Sequence, residues 1–313
     1  MINKNEITNY MTSLQAVIPG ERILPDEPMC CHTTFAIGGP ADVLVLPHSV
    51  LELAEAVRLA REAGLPVTVL GGGSNVLVLD GGIRGVVIQL NEMLPIMTCT
   101  DMTILVSAGF MLKDVCAFAQ QNSLTGMEFA CGIPGTLGGA VFMNAGAYGG
   151  EMSHVVLRVK TVDHMGELHC YEAGQMDFGY RQSVFQTRHE YVVKVELKLE
   201  KGDKTVIAQT MADLMQRRES KQPLEMHSAG STFKRPPGYF AGTLIEQTGL
   251  KGLSVGDAQV SLKHAGFVIN NGHATARDIL ELIHEVQRRV EDAHGVRLEP
   301  EVRIIGEELE HND

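Results

Sequence analysis

Apolar and polar positions along the chain follow two periods, one helical and one strand-like. Residues 1–20 read as a short leading helix. From Thr34 to Leu90 the two patterns alternate. Val50, Leu53, Ala54 and Val57 recur at helical spacing, and Ser49 with Glu52 forms a capping-box pattern ahead of them; Gly64 predicts the stop. Residues 66–70 form an apolar run fit for a buried strand, and 76–79 and 86–90 are further strand signals with no helix start between them. Next come a strand at 103–107 and an amphipathic helix at 112–121. Strands follow at 155–162 and 191–199, then a polar turn at 201–204 that marks a boundary. The pattern at 206–218 predicts a helix with Ile207, Met211, Leu214 and Met215 on one face. A Gly/Pro-rich loop spans 228–242. A long helix starts at Thr275, with Asp278 three residues on, and ends at Gly295; residues 296–305 read as a closing strand. There is no internal repeat.

Composition narrows the class. The chain has 313 residues, 44% hydrophobic and 20% charged, which is enough apolar content for more than one core and argues against disorder. A net charge of -12 disfavours general nucleic-acid binding, so any phosphate must be held by local basic groups and backbone amides. The six cysteines form no CxxC pair and show no ligand spacing with histidines, so no metal site is expected. The N-terminal residues lack an apolar signal core, and no apolar run is long enough to span a bilayer. A cytoplasmic protein with reduced thiols, without a membrane or obligate protein partner, is the expectation.

Two glycine-rich segments carry the candidate chemistry. Gly71-Gly72-Gly73-Ser74-Asn75 follows the strand ending at Leu70. Residues 132–150 hold seven glycines in nineteen positions. Glycines after a strand let backbone amides approach a phosphate closely, and two such loops suit a dinucleotide; a single GGG is equally well a tight turn. The first loop opens into a strand rather than a helix, so it is no Rossmann fingerprint. GxxxxGK[ST], G-x-S-x-G and HExxH are all absent.

The two loops together resemble an FAD-binding domain of the vanillyl-alcohol-oxidase type. A closer similarity is to the UDP-N-acetylenolpyruvoylglucosamine reductase (MurB) family. It is carried by TTFAIGGPAD (33–42), LGGGSNVLV (70–78), GIPGTLGGAVFMNAGAYG (132–149), FGYRQSVF (178–185), AGSTFKRP (229–236) and LEPEVRIIG (298–306). Only 49 residues separate Arg181 from Ser231, so the chain resembles the shorter subtype that lacks an extra tyrosine-bearing loop. Position 36 is Ala where members often carry a basic residue; no catalytic consequence is attached to it.

The resemblance implies an α+β fold: a two-part FAD-binding domain (1–90 and 91–205) and a smaller α+β substrate-binding domain (206–298), with 299–313 returning to the first part. It implies noncovalent FAD, since 71–75 contain no histidine for flavin attachment. The contacts it implies come from Leu70, Gly71, Gly72, Gly73, Ser74 and Asn75, and from Gly132, Ile133, Pro134, Gly135, Thr136, Gly138, Gly139, Asn144, Ala145 and Gly146. It implies NADPH as co-substrate, and reduction of UDP-N-acetylglucosamine enolpyruvate to UDP-N-acetylmuramate for peptidoglycan. Hydride addition to the enolpyruvyl methylene needs a stabilised oxyanion and a proton donor. By resemblance Arg181 and Glu301 stabilise the charge and Ser231 gives the proton. Taken without that context, the three read as a solvated loop cation, an exposed strand carboxylate and a turn hydroxyl.

Arg217 and Lys221, four apart at a helix end, with Lys234 and Arg235, form the best basic cluster for a diphosphate. Taken alone, Arg217 and Lys221 read more readily as a pair of solvated helix-terminal cations favoured by the dipole. His264 reads as a partly buried structural residue. A flavin oxidase on the same scaffold would react rapidly with oxygen and not need the Arg-Ser-Glu trio. A non-catalytic flavin or nucleotide sensor would keep only the loops. A nicotinamide-only dehydrogenase is disfavoured by the missing Rossmann fingerprint.

Overall fold

A computed structural model describes residues 4–309. The chain forms two compact units. The first comprises the described residues up to Pro25, Val43–Gly72 and Gly85–Arg218. The second comprises Asp26–Asp42, Gly73–Arg84 and the described residues from Glu219 on.

The first unit has two hydrophobic cores. Around one of them lie α1 (Lys4–Leu14), α2 (Val50–Glu62) and the strand Val67–Leu70, which runs parallel to the strand Ile83–Gln89 with Val67 opposite Val86 and Leu70 opposite Gln89. These two close a four-stranded sheet in the order Ile23–Pro28, Pro40–Val45, Ile83–Gln89, Val67–Leu70. Leu53, Ala56, Val57 and Ala60 are the buried face of α2. They pack with Tyr10, Leu14, Val86 and Ile88, as the helical spacing predicts. The Ser49 hydroxyl caps α2 by accepting from the Glu52 amide. The reciprocal half of the expected box is different: the Glu52 carboxylate accepts from the His48 amide and from Arg22 instead.

The second core of this unit lies under a five-stranded antiparallel sheet. Its order is Leu168–Glu172, Val156–Val162, Tyr191–Lys198, Thr103–Ser107, Met97–Thr100. Against it pack α3 (Leu112–Gln121) and α4 (Leu137–Phe142), while α5 (Val184–Arg188) adds Val184 and Phe185 to the core. The helix α6 (Lys204–Lys221) follows, with Ile207 buried and Met211, Leu214 and Met215 half-buried on the predicted face. α4 lies within the glycine-rich stretch, where the sequence suggests only a loop. Thr136 caps it by accepting from the Gly139 amide. Tertiary packing offsets the helix cost of two glycines, since Leu137, Ala140 and Val141 are buried.

The second unit is built around α7 (Ala241–Gln247) and α8 (Ala276–His294) against a three-stranded sheet, Ser254–Val255, Ala258–Val260 and Val268–Asn270. α8 has the full capping box predicted at Thr275 and Asp278 and a left-handed Gly295 at its end. Residues 296–305 are not one strand. Pro300 has no N–H to donate and makes a bridge with Phe233, and only Arg303–Ile305 is a regular strand, parallel to Val76–Val78. Among the described residues no helix is long and apolar enough to cross a membrane, and all six cysteines are free thiols.

Candidate active site

In the first unit the two glycine loops meet. A Cβ on Gly71 would lie 2.3 Å from Thr136 Oγ1, and one on Gly72 would lie 3.2 Å from the Gly135 Cα. Only glycine allows that approach, and loops without side chains let main-chain amides come close to a phosphate. Leu70 and Gly71 are fixed from behind: the Leu70 carbonyl accepts from the Leu90 amide, and the Gly71 carbonyl from the buried Gln89 amide group at 3.2 Å. The residues present therefore fit a large phosphate-bearing ligand. Gly139 is exposed at the mouth of α4, and Pro134 is exposed beside Gly135.

Other expected loop residues serve packing. Gly138 backs onto Ala108, where a Cβ would come within 2.7 Å, and Gly146 faces the Gly150 carbonyl at 2.7 Å. Gly132 lies under Arg218, whose Cδ would be 2.8 Å from a Cβ there. Arg218 is buried, and its guanidinium stands 5.8 Å from the Tyr148 ring centre. Burial pulls its pKa down, against the opposing influence of Tyr148 and Cys131. Nothing in the local pattern marks this arginine, because charge at a helix end normally means solvent. Ile133 and Ala145 are partly buried against the core.

Arg181 lies in a tight turn of the same unit. Gly179 and Gln182 exchange backbone hydrogen bonds of 3.1 and 3.2 Å around Tyr180 and Arg181. Arg181 has φ +56°, a conformation that a residue with a side chain adopts at a cost of about 1 kcal/mol. Its guanidinium lies 5.0 Å from the Tyr180 ring centre. Asn144, also with positive φ and almost wholly buried, donates from Nδ2 to the Gly179 carbonyl at 3.0 Å and accepts from the Ser153 amide at 2.9 Å. The side chain of Asn144, a residue of the expected cofactor loop, supports the arginine turn. Nearby Glu151 is held below the usual carboxylate range by the Ser153 hydroxyl, against burial, with help from the Asn144 amide and the charges of His154 and Arg181.

In the second unit the segments that carry Ser231 and Glu301 run side by side, joined by an isolated bridge between Phe233 and Pro300. The Glu301 amide donates to the Thr232 carbonyl and the Lys234 amide to the Glu299 carbonyl, both at 2.8 Å. Thr232 is pinned in turn: its hydroxyl accepts from the Val268 amide at 2.9 Å. Ser231 is exposed and Glu301 half-buried. The carbonyl of Glu301 accepts from Asn75 Nδ2 at 3.4 Å, which ties the last residue of the first glycine loop to this segment. Gly73 has φ +61°, and its carbonyl accepts from the Thr34 amide. Ser74 is half-buried beside it. Ala36 has φ +53°.

The four expected substrate cations are not alike. Lys234 is 3.3 Å from Glu299, and the Arg235 guanidinium lies 4.1 Å from the Phe240 ring centre. Arg217 and Lys221 are exposed near the end of α6. His264 has the structural role expected: its Nδ1 accepts from the Gly266 amide, its ring stands edge-on to Phe267, and burial lowers its pKa. Asp163, Glu167 and His169 bring ligand-type atoms within 4.8 Å of one another. Asp163 is occupied there as a turn acceptor for the Met165 and Glu167 amides.

A family model for an FAD binding domain matches residues 41–171, and one for the C-terminal domain of UDP-N-acetylenolpyruvoylglucosamine reductase matches 222–305. The UDP-N-acetylenolpyruvoylglucosamine reductase of Clostridium kluyveri is 48% identical over 304 residues, 97% of this chain and all of that one. The chain belongs to the UDP-N-acetylenolpyruvoylglucosamine reductase family. The crystal structure of the family member from Thermus caldophilus superimposes with a TM-score of 0.75 at 39% identity, over 88% of this chain and 97% of that one. A 4-ethylphenol oxidase from Gulosibacter chungangensis shares the fold (TM-score 0.52, 14% identity, 96% of this chain and 66% of that one). The α+β, vanillyl-alcohol-oxidase-type FAD fold expected from the glycine loops is thus the fold found. The chain is a flavin-dependent oxidoreductase with FAD as its cofactor.

Proposed function

We propose that this chain reduces UDP-N-acetylglucosamine enolpyruvate to UDP-N-acetylmuramate, with NADPH as electron donor, in the cytoplasmic synthesis of peptidoglycan precursors. The observation that carries this reading is the end-to-end match to the reductase from Clostridium kluyveri, 48% identical over 97% of the chain. FAD, when bound, accepts hydride equivalents from the nicotinamide and passes them to the enolpyruvyl methylene carbon. The FAD phosphates are assigned to main-chain amides of Gly71, Gly72, Gly135 and Thr136, where the two loops meet.

As hydride reaches the methylene carbon, charge develops on the carboxylate side of the substrate. Arg181 carries a permanent, planar cation suited to gripping those oxygens in a bidentate way. Glu301 serves the same charge, as donor when protonated or as orienter of a water when ionised. Ser231 delivers the proton to the adjacent carbon, completing addition of one hydride and one proton across the double bond. Arg217, Lys221, Lys234 and Arg235 are assigned to the diphosphate; Lys234 must then exchange Glu299 for phosphate.

The three-part division of labour remains our reading as well: two parts for FAD, one for substrate, and a returning C-terminal strand. The separate cores and the pairing of Arg303–Ile305 with Val76–Val78 support it.

The test separates the half-reactions. Enzyme reduced anaerobically with one equivalent of NADPH is mixed with the enolpyruvyl sugar nucleotide, and the oxidised-flavin band is followed. Arg181→Ala is expected to slow its return by at least about 100-fold, and Ser231→Ala by about 100-fold or more. Return at the wild-type rate in either variant removes that residue from its role.

A further inference from the structure

The carbonyl of Phe142 ends α4, so it has no partner within the helix. Two side chains from the segment after the arginine turn satisfy it. Ser183 donates from Oγ at 2.7 Å, and Gln186 donates from Nε2 at 2.9 Å. The same Gln186 nitrogen lies 3.1 Å from the Arg181 carbonyl. An amide nitrogen carries two N–H donors, and it faces two carbonyls with the weakly accepting Met143 Sδ at 3.9 Å beside them, so only the orientation that turns the nitrogen to the carbonyls satisfies the site. Asn144, two residues beyond α4, holds the other side of the turn through the Gly179 carbonyl. The strained backbone of Arg181 is thus clamped at the carbonyl of the residue itself and at the start of its turn. Both clamps are anchored on the glycine-rich helix that bears the phosphate cradle.

We propose that Gln186 is a positioning residue for Arg181: it fixes the turn so that the guanidinium is aimed before substrate arrives. The inference rests on the role assigned above to Arg181. A merely structural Gln186 would hold α4 and α5 together and affect both half-reactions and flavin retention alike. A positioning Gln186 affects the step that needs the guanidinium.

Gln186→Met keeps length and volume and removes both donors. Flavin content and reduction by NADPH are expected to stay within about twofold of wild type. Reoxidation by the enolpyruvyl sugar nucleotide should slow on the order of 10- to 100-fold, the effect of a small misplacement of a catalytic group. Amide exchange of Gln182, whose N–H closes the turn, should quicken about tenfold in the same variant, a readout independent of turnover. Asn144→Ala is the second variant, expected to act in the same direction through Gly179. Wild-type reoxidation in Gln186→Met beside a slow Arg181→Ala overturns the proposal, as does an equal loss in both half-reactions together with lost flavin. If Arg181→Ala itself reoxidises normally, the underlying assignment of Arg181 has failed instead.

Discussion

At position 71 a single methyl group decides whether two loops can meet. Its carbon would stand 2.3 Å from Thr136 Oγ1, a short side chain that also caps α4 and has little room to withdraw. Gly71→Ala is therefore expected to destabilise the protein by about 1–3 kcal/mol and to lower bound flavin. Thermal melting and the ratio of flavin to protein absorbance check it, and unchanged values in both would show that the loops have slack. A second residue-scale prediction concerns Glu190, which is buried and accepts from the hydroxyls of Tyr171 and Thr161. Glu190→Ala removes the acceptor of both hydroxyls, of which Tyr171 keeps the Arg188 guanidinium at 2.9 Å, and denaturant unfolding should show a loss of about 1–3 kcal/mol.

The identities of Arg181, Ser231 and Glu301 stood out in the sequence because each lies in a family motif. Gln186 did not, although it lies one residue past such a motif. A lone amide between Phe185 and Thr187 gives no sign of what its two N–H groups face.

At the scale of elements, caps and apolar spacing made most helices legible. α3 begins and ends where the pattern places it, and α8 has both its capping box and its glycine stop. The elements that were missed share a cause: local sequence argued against them and tertiary contacts decided. α4 carries two glycines yet forms because its other face is buried. The alternation of 296–305 reads as one strand, but Pro300 interrupts the ladder and the partner changes from Phe233 to Val76–Val78.

The start of α2 yields a pH prediction. Burial alone would raise the Glu52 carboxyl, but Arg22 and the His48 amide outweigh it and hold the pKa below its ordinary value. The folded-state pKa is depressed, so the ionised form stabilises the fold fully above the unfolded value, about 4.3. That contribution is lost as pH falls through the lower folded value. Wild-type protein should therefore lose more stability than Glu52→Gln on acidification through that window, measured by denaturant unfolding. Parallel pH profiles would contradict it.

For the molecule as a whole, the net charge of -12 and the absence of a Rossmann fingerprint pointed away from nucleic acids and nicotinamide-only chemistry. The resemblance of six ordered motifs to one family then implied the family's cofactor. Composition and periodicity alone would have reached only an α+β protein with two phosphate-type loops, since function here rests on a few polar residues set among ordinary packing. We propose that this scaffold adds hydride and proton to the double bond of an enolpyruvyl sugar nucleotide. The direct measurement is mass spectrometry of that substrate after incubation with the wild-type protein and NADPH in deuterated water without oxygen. The expected product is heavier by one added hydride and one added proton equivalent, with deuterium from solvent on the carbon next to the carboxylate. Substrate recovered unchanged, with a flavin that is reduced by NADPH and reoxidised only when air is admitted, would contradict it and point to an oxidase.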